Sequence, residues 1–296
     1  MKECYLYRQL KNGSVQCRAC CHYCLIKNGA KGKCSVRENR NGKLYSLVYN
    51  QPCALEIDPI EKKPLYLFLP GSKTLSLATV GCNFSCLNCQ NWTISQLPKM
   101  GLKIQEKFQE KKRTPFEIVK IALKNKLPSI SYTYTEPTIF LEYALDTMKL
   151  AKKAGLKNIW ITNAFFSEET FNLIKNYLDA ANVDLKSFDE RFYREICQGE
   201  LKPVLENLKR IKKANIWLEI TTLVIPQLND SPQNLTMAAN FIKKELGAHT
   251  PWHLSRFFAS ISWRLKHLSD TPLETLEMAA AIGKKAGLKN VFIGNV

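Results

Sequence analysis

The sequence predicts an α/β fold, a partial (β/α)6 TIM-like barrel with a small Cys-rich segment ahead of it. Three observations predict it. From residue 75 onward, short β-rich apolar runs alternate with amphipathic stretches at helical spacing, the pattern of a parallel α/β sheet. One unit of that pattern recurs: residues 152–163 (KKAGLKNIWITN) return as residues 284–295 (KKAGLKNVFIGN) and more loosely as residues 212–221 (KKANIWLEIT). Residues 1–74 stand apart, with seven of the eleven cysteines and 13 Lys and Arg against 5 Asp and Glu. We therefore expect a Cys-rich metal-binding segment over 1–74 and the barrel over 75–296.

Composition sets the frame. At 296 residues, with 45% hydrophobic and 10% aromatic side chains, the chain can bury a sizeable core. No apolar run approaches the ~18 residues of a membrane span, and the start, MKECYLYRQL, lacks a signal-like apolar region. Eleven cysteines without a secretion signal point to thiolate chemistry in a reducing, cytoplasmic compartment, and the odd count argues against a disulfide framework. The net charge of +17 is carried by scattered lysines, as in KIALKNK and LKRIKKA. That is how solvated helix faces read, which argues against a dedicated nucleic-acid surface.

In the N-terminal segment Cys17, Cys20, Cys24 and Cys34 give C-x2-C-x3-C-x9-C, with Gly29 and Gly32 in the last interval. Four thiolates at such spacing suit tetrahedral zinc or a second, fully ligated iron–sulfur cluster, and Cys21 is a substitute ligand. A structural role is favoured, because a short segment with little helical periodicity needs a staple. Cys4, Cys53 and Cys197 stand alone and read as small buried residues.

The first barrel strand, 75–80, stops at Gly81 and delivers Cys82, Cys86 and Cys89, a C-x3-C-x2-C loop. Fe–S clusters are held by Cys thiolates, and three ligands leave one iron of a cubane open to a small chelating molecule. Closed zinc sites want four ligands, and this loop has no fourth Cys or His. The cluster reading is preferred. Residues 96–114 follow as a charged connection.

Further strands are expected at 129–134, 158–162, 181–185, 216–224, 252–257 and 290–294. Helices are expected at 115–126, 138–154, 168–178, 203–214, 232–246 and 273–286. Lys-Lys-Ala followed by Gly155, Asn215 or Gly287 marks helix ends that adopt the left-handed conformation. About six strands fall short of a closed barrel of eight, so its side is open. Polar residues gather at the strand C-termini, where barrel chemistry resides. Thr135 and Glu136 precede Pro137; Glu is a poor cap residue, so Glu136 is expected to have another task, such as accepting from an ammonium group. Thr162 and Asn163 end the third strand. Asp184 and Lys186 share a strand face, as an internal ion pair or a ligand clamp. His253 and Ser255 share another.

These blocks, with CRACCHYC, GKCSVREN, DPIEKKPLYLFLPGS, VGCNFSCLNCQNW, SYTYTEPTIF, AANVDLKSF, TTLVIPQLNDS and PWHLSRF, resemble radical S-adenosylmethionine proteins of the pyruvate formate-lyase-activating-enzyme type. The similarity is greatest to the radical component of the AmmeMemoRadiSam system. It implies a 4Fe–4S cluster on Cys82, Cys86 and Cys89. It also implies S-adenosylmethionine lined by Thr135, Glu136, Asn163, Asp184, Lys186 and His253. An external donor of ferredoxin or flavodoxin type would reduce the cluster, and a 5′-deoxyadenosyl radical would abstract hydrogen from a substrate, with a macromolecule in view as in glycyl-radical-enzyme activases. Two positions depart from the family pattern: Asn88 where an aromatic is usual, and Ala164 where relatives carry glycine. Two non-enzymatic readings compete, an iron–sulfur electron-transfer or sensor protein and a zinc-stapled nucleic-acid binder. Neither gives the strand-end polar set a purpose.

Overall fold

The computed structural model describes residues 1–102 and 112–296, so the middle of the charged connection expected over 96–114 lies outside the described residues. The N-terminal segment folds as two small antiparallel sheets. Its strands are β1 (Lys2–Glu3), β2 (Tyr7–Gln9), β3 (Val15–Cys17), β4 (Leu25–Ile26), β5 (Arg37–Arg40) and β6 (Lys43–Ser46), ordered β1-β6-β5 and β2-β3-β4. Buried Arg37 fastens this segment to the rest. Its guanidinium donates to Glu142 Oε1 at 3.1 Å and Oε2 at 2.8 Å, and to the carbonyls of Thr138 and Ile139. Removing one partner of such a pair strands a buried charge, at about 3–5 kcal/mol.

The main sheet has eight strands: β7 (Ala54–Pro59), β8 (Lys73–Ala78), β9 (Ser129–Tyr132), β10 (Lys157–Thr162), β11 (Ala180–Asp184), β12 (Trp217–Val224), β13 (Trp252–Arg256) and β14 (Val291–Gly294). They lie in sequence order, β7 antiparallel to β8 and every other pair parallel. Among the described residues β7 and β14 do not pair, so the barrel is open. All seven strands expected from residue 75 onward are found, one more than the six of the expected barrel, and the eighth, β7, arises before residue 75. That strand is hard to see in the sequence because its pattern is inverted: Asp58 is buried while Ile57 is 44% exposed.

Helices fill the crossovers: α1 (Trp92–Ser95), α2 (Pro115–Lys124), α3 (Leu141–Lys153), α4 (Glu168–Ile174), α5 (Glu190–Phe192), α6 (Leu201–Lys213), α7 (Pro232–Phe241) and α8 (Leu273–Lys285). Their starts follow local chemistry. Thr114 and Glu117 form a capping box ahead of α2, and Ser167 and Ser231 cap α4 and α7. Their ends do as well. Gly155, Asn215 and Gly287 take φ of +78°, +56° and +93° after α3, α6 and α8, each turning the chain into the next strand. The repeat is thus one αβ unit used three times. No helix among the described residues is long and apolar enough to cross a membrane.

Candidate functional site

Beyond β8 the chain reaches Gly81 at φ +96°. A Cβ there would lie 2.7 Å from the Cys34 carbonyl oxygen and 2.8 Å from Val36 Cγ1, so only glycine fits. The cysteine loop is therefore pressed onto the N-terminal segment. Its backbone is tied from the other side, where the Ser85 and Leu87 amides donate to the carbonyls of Cys197 and Ile196, both at 2.9 Å. Cys197 is buried as expected, and it is brought beside Cys86 from a distant part of the chain, a neighbour that spacing does not reveal.

Burial pushes the Cys82 thiol up to about 12. The hydrogen bond with Cys197, then burial, carry Cys86 well above the ordinary thiol value, and burial raises Cys89. Such thiols stay neutral until a metal displaces their protons. Among the described residues no three His, Cys, Asp or Glu side chains gather to hold a single ion. Zinc needs its sulfur ligands within about 2.3 Å of one point. A cubane spreads its thiolates over separate irons. The three thiols line one cavity, and a set of three Cys thiolates fits a cluster that leaves one iron open.

That cavity, about 500 Å³, lies at the C-terminal ends of the parallel strands. Thr135, Glu136, Asn163, Asp184 and Lys186 all line it with Cys82, Cys86 and Cys89. The cysteine loop is laced to the strand ends: Thr135 Oγ1 donates to the Thr79 carbonyl at 2.8 Å, and Asn163 Nδ2 to Asn83 Oδ1 at 2.7 Å.

Glu136 is buried, and all its partners among the described residues are neutral. It accepts from the Thr138 amide and hydroxyl, the Thr162 hydroxyl and the Asn163 amide, the last at 2.8 Å. It also caps the short helix that begins at Pro137, the position that proline implies, by accepting from the Thr138 amide. Burial raises its carboxyl pKa despite these donors. An uncompensated carboxylate in a cavity wall is a site for a cation.

Asp184 and Lys186 form an ion pair at 2.9 Å. Burial opposes the Lys186 charge, but Asp184 and the neighbouring Cys86 and Cys197 hold its pKa well above the ordinary value. Asn88 also lines the cavity, and its buried Oδ1 has no hydrogen-bond partner. Ala164 takes φ +53°, the left-handed region where glycine is favoured.

His253 does not reach the cavity. Its Nε2 meets Glu219 Oε2 at 2.7 Å, and its ring stacks on Phe292. Ser255, two residues further along the same strand face, is the one that lines the cavity. A shared face gives direction but not depth. Glu219 also accepts from the Tyr66 and Leu67 amides, so the pair fastens the 64–67 loop beneath the cavity.

Sequence reasoning missed Lys62 and Lys63, which enter the cavity wall from ahead of residue 75. Asp58 joins them: Lys62 Nζ at 2.8 Å, Lys63 Nζ at 2.7 Å, Ser76 Oγ at 2.7 Å, and the Tyr134 hydroxyl all donate to it. Burial would raise the Asp58 carboxyl, and these donors instead hold it well below the ordinary range. The block DPIEKKP, seen as part of a resemblance, was the available signal.

Comparison with known proteins agrees with this geometry. The profile of the Radical SAM superfamily matches residues 76–237. An uncharacterized protein of Methanocaldococcus jannaschii is 44% identical over 296 residues, covering 100% of this chain and 86% of its own length. The pyruvate formate-lyase-activating enzyme of Clostridium pasteurianum is 24% identical over 183 residues, 59% of this chain and 71% of its own. In fold, the chain is similar to a domain of the pyruvate-formate lyase-activating enzyme from Bacteroides vulgatus, with a TM-score of 0.50 at 20% identity. That match covers 56% of this chain and 99% of the other.

Proposed function

The chain belongs to the radical SAM superfamily, and from that premise we propose that the cavity binds S-adenosylmethionine against a 4Fe–4S cluster held by Cys82, Cys86 and Cys89. A cluster held there supplies reductive cleavage of the sulfonium to a 5′-deoxyadenosyl radical, which abstracts hydrogen from substrate. The observation that carries the reading is the meeting of three thiols and a buried carboxylate with only neutral partners among the described residues in one cavity of about 500 Å³. Glu136 attracts the methionyl ammonium, and its grip on Thr162 and Asn163 fixes the turn on which the ligand rests. Lys186, aimed by Asp184, engages the ligand's anionic or hydroxyl oxygens. The orphaned Asn88 Oδ1 accepts from the adenine amino group, the task left to it where an aromatic ring is absent. His253 acts below this layer, as a support.

The N-terminal quartet Cys17, Cys20, Cys24 and Cys34 is a second metal site in this reading. A low-potential ferredoxin or flavodoxin is the electron donor. The substrate is a macromolecule entering between β7 and β14, as the open sheet and the likeness to activating enzymes support. The similarity to the AmmeMemoRadiSam component is part of the same proposal.

Anaerobic reconstitution with iron and sulfide, followed by reduction in the presence of S-adenosylmethionine, tests the core reading through 5′-deoxyadenosine formation. A brown, cluster-loaded protein that yields none overturns it. Deuterium transfer from size-fractionated labelled extract tests the substrate class: label arriving from small metabolites alone removes the macromolecular assignment.

A further inference from the structure

We infer that Lys62, backed by Lys63 and Asp58, forms an anion subsite in the floor of the cavity, and that the molecule giving up hydrogen carries a carboxylate or phosphate that docks there. The subsite stands on its own geometry; that its occupant is the hydrogen donor rests on the S-adenosylmethionine reading given above.

The floor is built from the chain between β7 and β8, and it is pinned to the sheet. Asn182 Nδ2, on β11, donates to the Pro64 carbonyl at 2.7 Å. Glu219, on β12, accepts from the Tyr66 and Leu67 amides, both at 3.0 Å. A single helical turn, Ile60–Lys62, closes just ahead of these contacts, with the Lys63 amide donating to the Ile60 carbonyl at 2.9 Å. Lys62 and Lys63 thus reach the cavity wall from fixed backbone.

Two ammonium groups share one carboxylate there. Lys62 Nζ donates to Asp58 Oδ1 at 2.8 Å and Lys63 Nζ to Oδ2 at 2.7 Å, while Oδ2 also accepts from Ser76 and Tyr134. Among the described residues neither lysine has a second acidic partner. Glu56, two residues before Asp58, forms no ion pair with either, and Glu61 accepts from the Gly71 amide. The cluster therefore carries one more positive charge than it neutralises. Its two cations differ in access: Lys63 is buried, while the Lys62 side chain is 60% exposed. Lys62 is the group that can meet a ligand, and Lys63 keeps Asp58 from neutralising it. Burial pulls the Lys63 pKa below its ordinary value although Asp58 opposes the fall, and Lys62 adds to it. The other acids of the cavity wall do not answer this charge. Asp184 pairs with Lys186, and Glu136 accepts from its own neutral donors.

Tyr134 joins this cluster to the rest of the site, from a strained backbone. Its φ is +62°, where a bulky residue rarely sits, and strain of this kind gathers at functional sites. The ring lies over Lys63 Nζ, 4.3 Å from its centroid, and the hydroxyl donates to Asp58. The Tyr134 carbonyl accepts from Asn91 Nδ2 at 2.9 Å, two residues past Cys89, and Glu136 follows two residues later. An anion on Lys62 therefore shares the cavity with the thiols and with the carboxylate assigned to the methionyl ammonium. Lysine is a compact point charge, suited to a carboxylate or phosphate oxygen. The wall beyond it offers the Thr221 and Ser255 hydroxyls with apolar Ile161 and Leu223, an uncharged lining for the body of a molecule held by its anionic end.

Isothermal titration of the anaerobically reconstituted full chain with inorganic phosphate and with acetate, at fixed ionic strength and without S-adenosylmethionine, reads the subsite. Saturable binding of at least one anion is expected. It should be about tenfold weaker in Lys62→Gln and about threefold tighter in Asp58→Asn, which removes the competing carboxylate. A merely structural cluster gives no such opposite signs. Lys284→Gln, at an exposed lysine of α8, should change the affinity by less than about twofold. Binding of neither anion, an equal fall in Lys284→Gln, or indifference to Lys62→Gln overturns the subsite. If S-adenosylmethionine affinity falls in Lys62→Gln as far as phosphate affinity does, the lysine holds the methionyl carboxylate and the substrate role is overturned. The donor's class is read by passing deuterium-labelled extract over an anion exchanger. Label in 5′-deoxyadenosine is expected from the retained fraction, abolished by phosphatase treatment for a phosphate and kept for a carboxylate; label from the unretained fraction alone overturns the assignment. A chain that binds anions through Lys62 but forms no 5′-deoxyadenosine overturns the S-adenosylmethionine reading and leaves the subsite standing.

Discussion

Replacing Gly81 with alanine tests how tightly the cysteine loop is fitted to the N-terminal segment. Two costs apply. A non-glycine residue at φ +96° costs about 1 kcal/mol. The new Cβ also meets the Cys34 carbonyl oxygen at 2.7 Å, and a backbone atom cannot swing aside as a side chain would. Overpacking of this kind costs about 1–3 kcal/mol, for a total of about 2–4 kcal/mol. In a domain of this size 1 kcal/mol lowers Tm by roughly 2 °C, so a fall of about 4–8 °C is expected. Gly71→Ala is the control, because φ there is +74° with no atom within 4 Å of the added carbon. It carries the backbone cost alone, about 2 °C. Calorimetry at a fixed scan rate on cluster-loaded protein, with iron counted before and after, reads both variants. If Gly81→Ala melts no lower than Gly71→Ala, the close approach is not a constraint and the coupling between loop and segment is wrong.

Cys86→Ala should abolish 5′-deoxyadenosine formation while far-ultraviolet circular dichroism stays native, since the change lies outside the helices and sheet. Arg37→Met should destabilise by about 3–5 kcal/mol, and adding Glu142→Leu should recover most of it; denaturant midpoints check the pair, and equal loss in single and double variants refutes a stranded charge. Glu136→Gln should weaken S-adenosylmethionine binding about tenfold, or roughly 1.4 kcal/mol, by isothermal titration, with unchanged affinity refuting its role toward the ammonium. Asp58 should make stability depend on acid. Its folded pKa lies below the ordinary 3.8, so its contribution is full above that value and is lost as pH falls through the depressed folded one. The stability gap between the unaltered chain and Asp58→Asn should therefore shrink below about pH 4, and a gap constant from pH 7 to pH 2 refutes it.

Much of this was legible because the signals were local. Three cysteines within eight residues declare themselves, and a repeated Lys-Lys-Ala-Gly followed by a β-rich run gives both helix end and strand start. Asp184 and Lys186 were placed on one face by the period of a strand, and they meet. What was hidden was depth and distance. Strand periodicity says that His253 points inward but not that it lies a layer below the cavity, where Glu219 already claims it. Strand β7 hides because its buried side chain is Asp58, whose cost is offset by Lys62, Lys63, Ser76 and Tyr134, three of them remote or unremarkable in sequence. Glu136 was singled out as a cap of an unfavoured type, and spacing could not show its other partners: besides the Thr138 amide it accepts from two hydroxyls and the Asn163 amide.

The N-terminal segment is therefore better understood as part of the site's wall than as an appendage. Lys62 and Lys63 reach the cavity from it, β7 completes the sheet beside β8, and Cys34 sets how closely Gly81 can approach. Burying Arg37 against Glu142 contributes little net stability by itself, because desolvation of two charges offsets their attraction. Its stronger effect is on register. A guanidinium bound to both carboxylate oxygens and to two carbonyls accepts one placement only, and a shift of the segment by a fraction of a turn would strand the charge. The same placement that satisfies Arg37 holds the Cys34 carbonyl against Gly81 and the Asn83 carbonyl against His22. A buried ion pair, whose Arg37 lines the cavity shared by Cys17, Cys20, Cys24 and Cys34, thus helps set how the N-terminal segment sits against the cysteine loop.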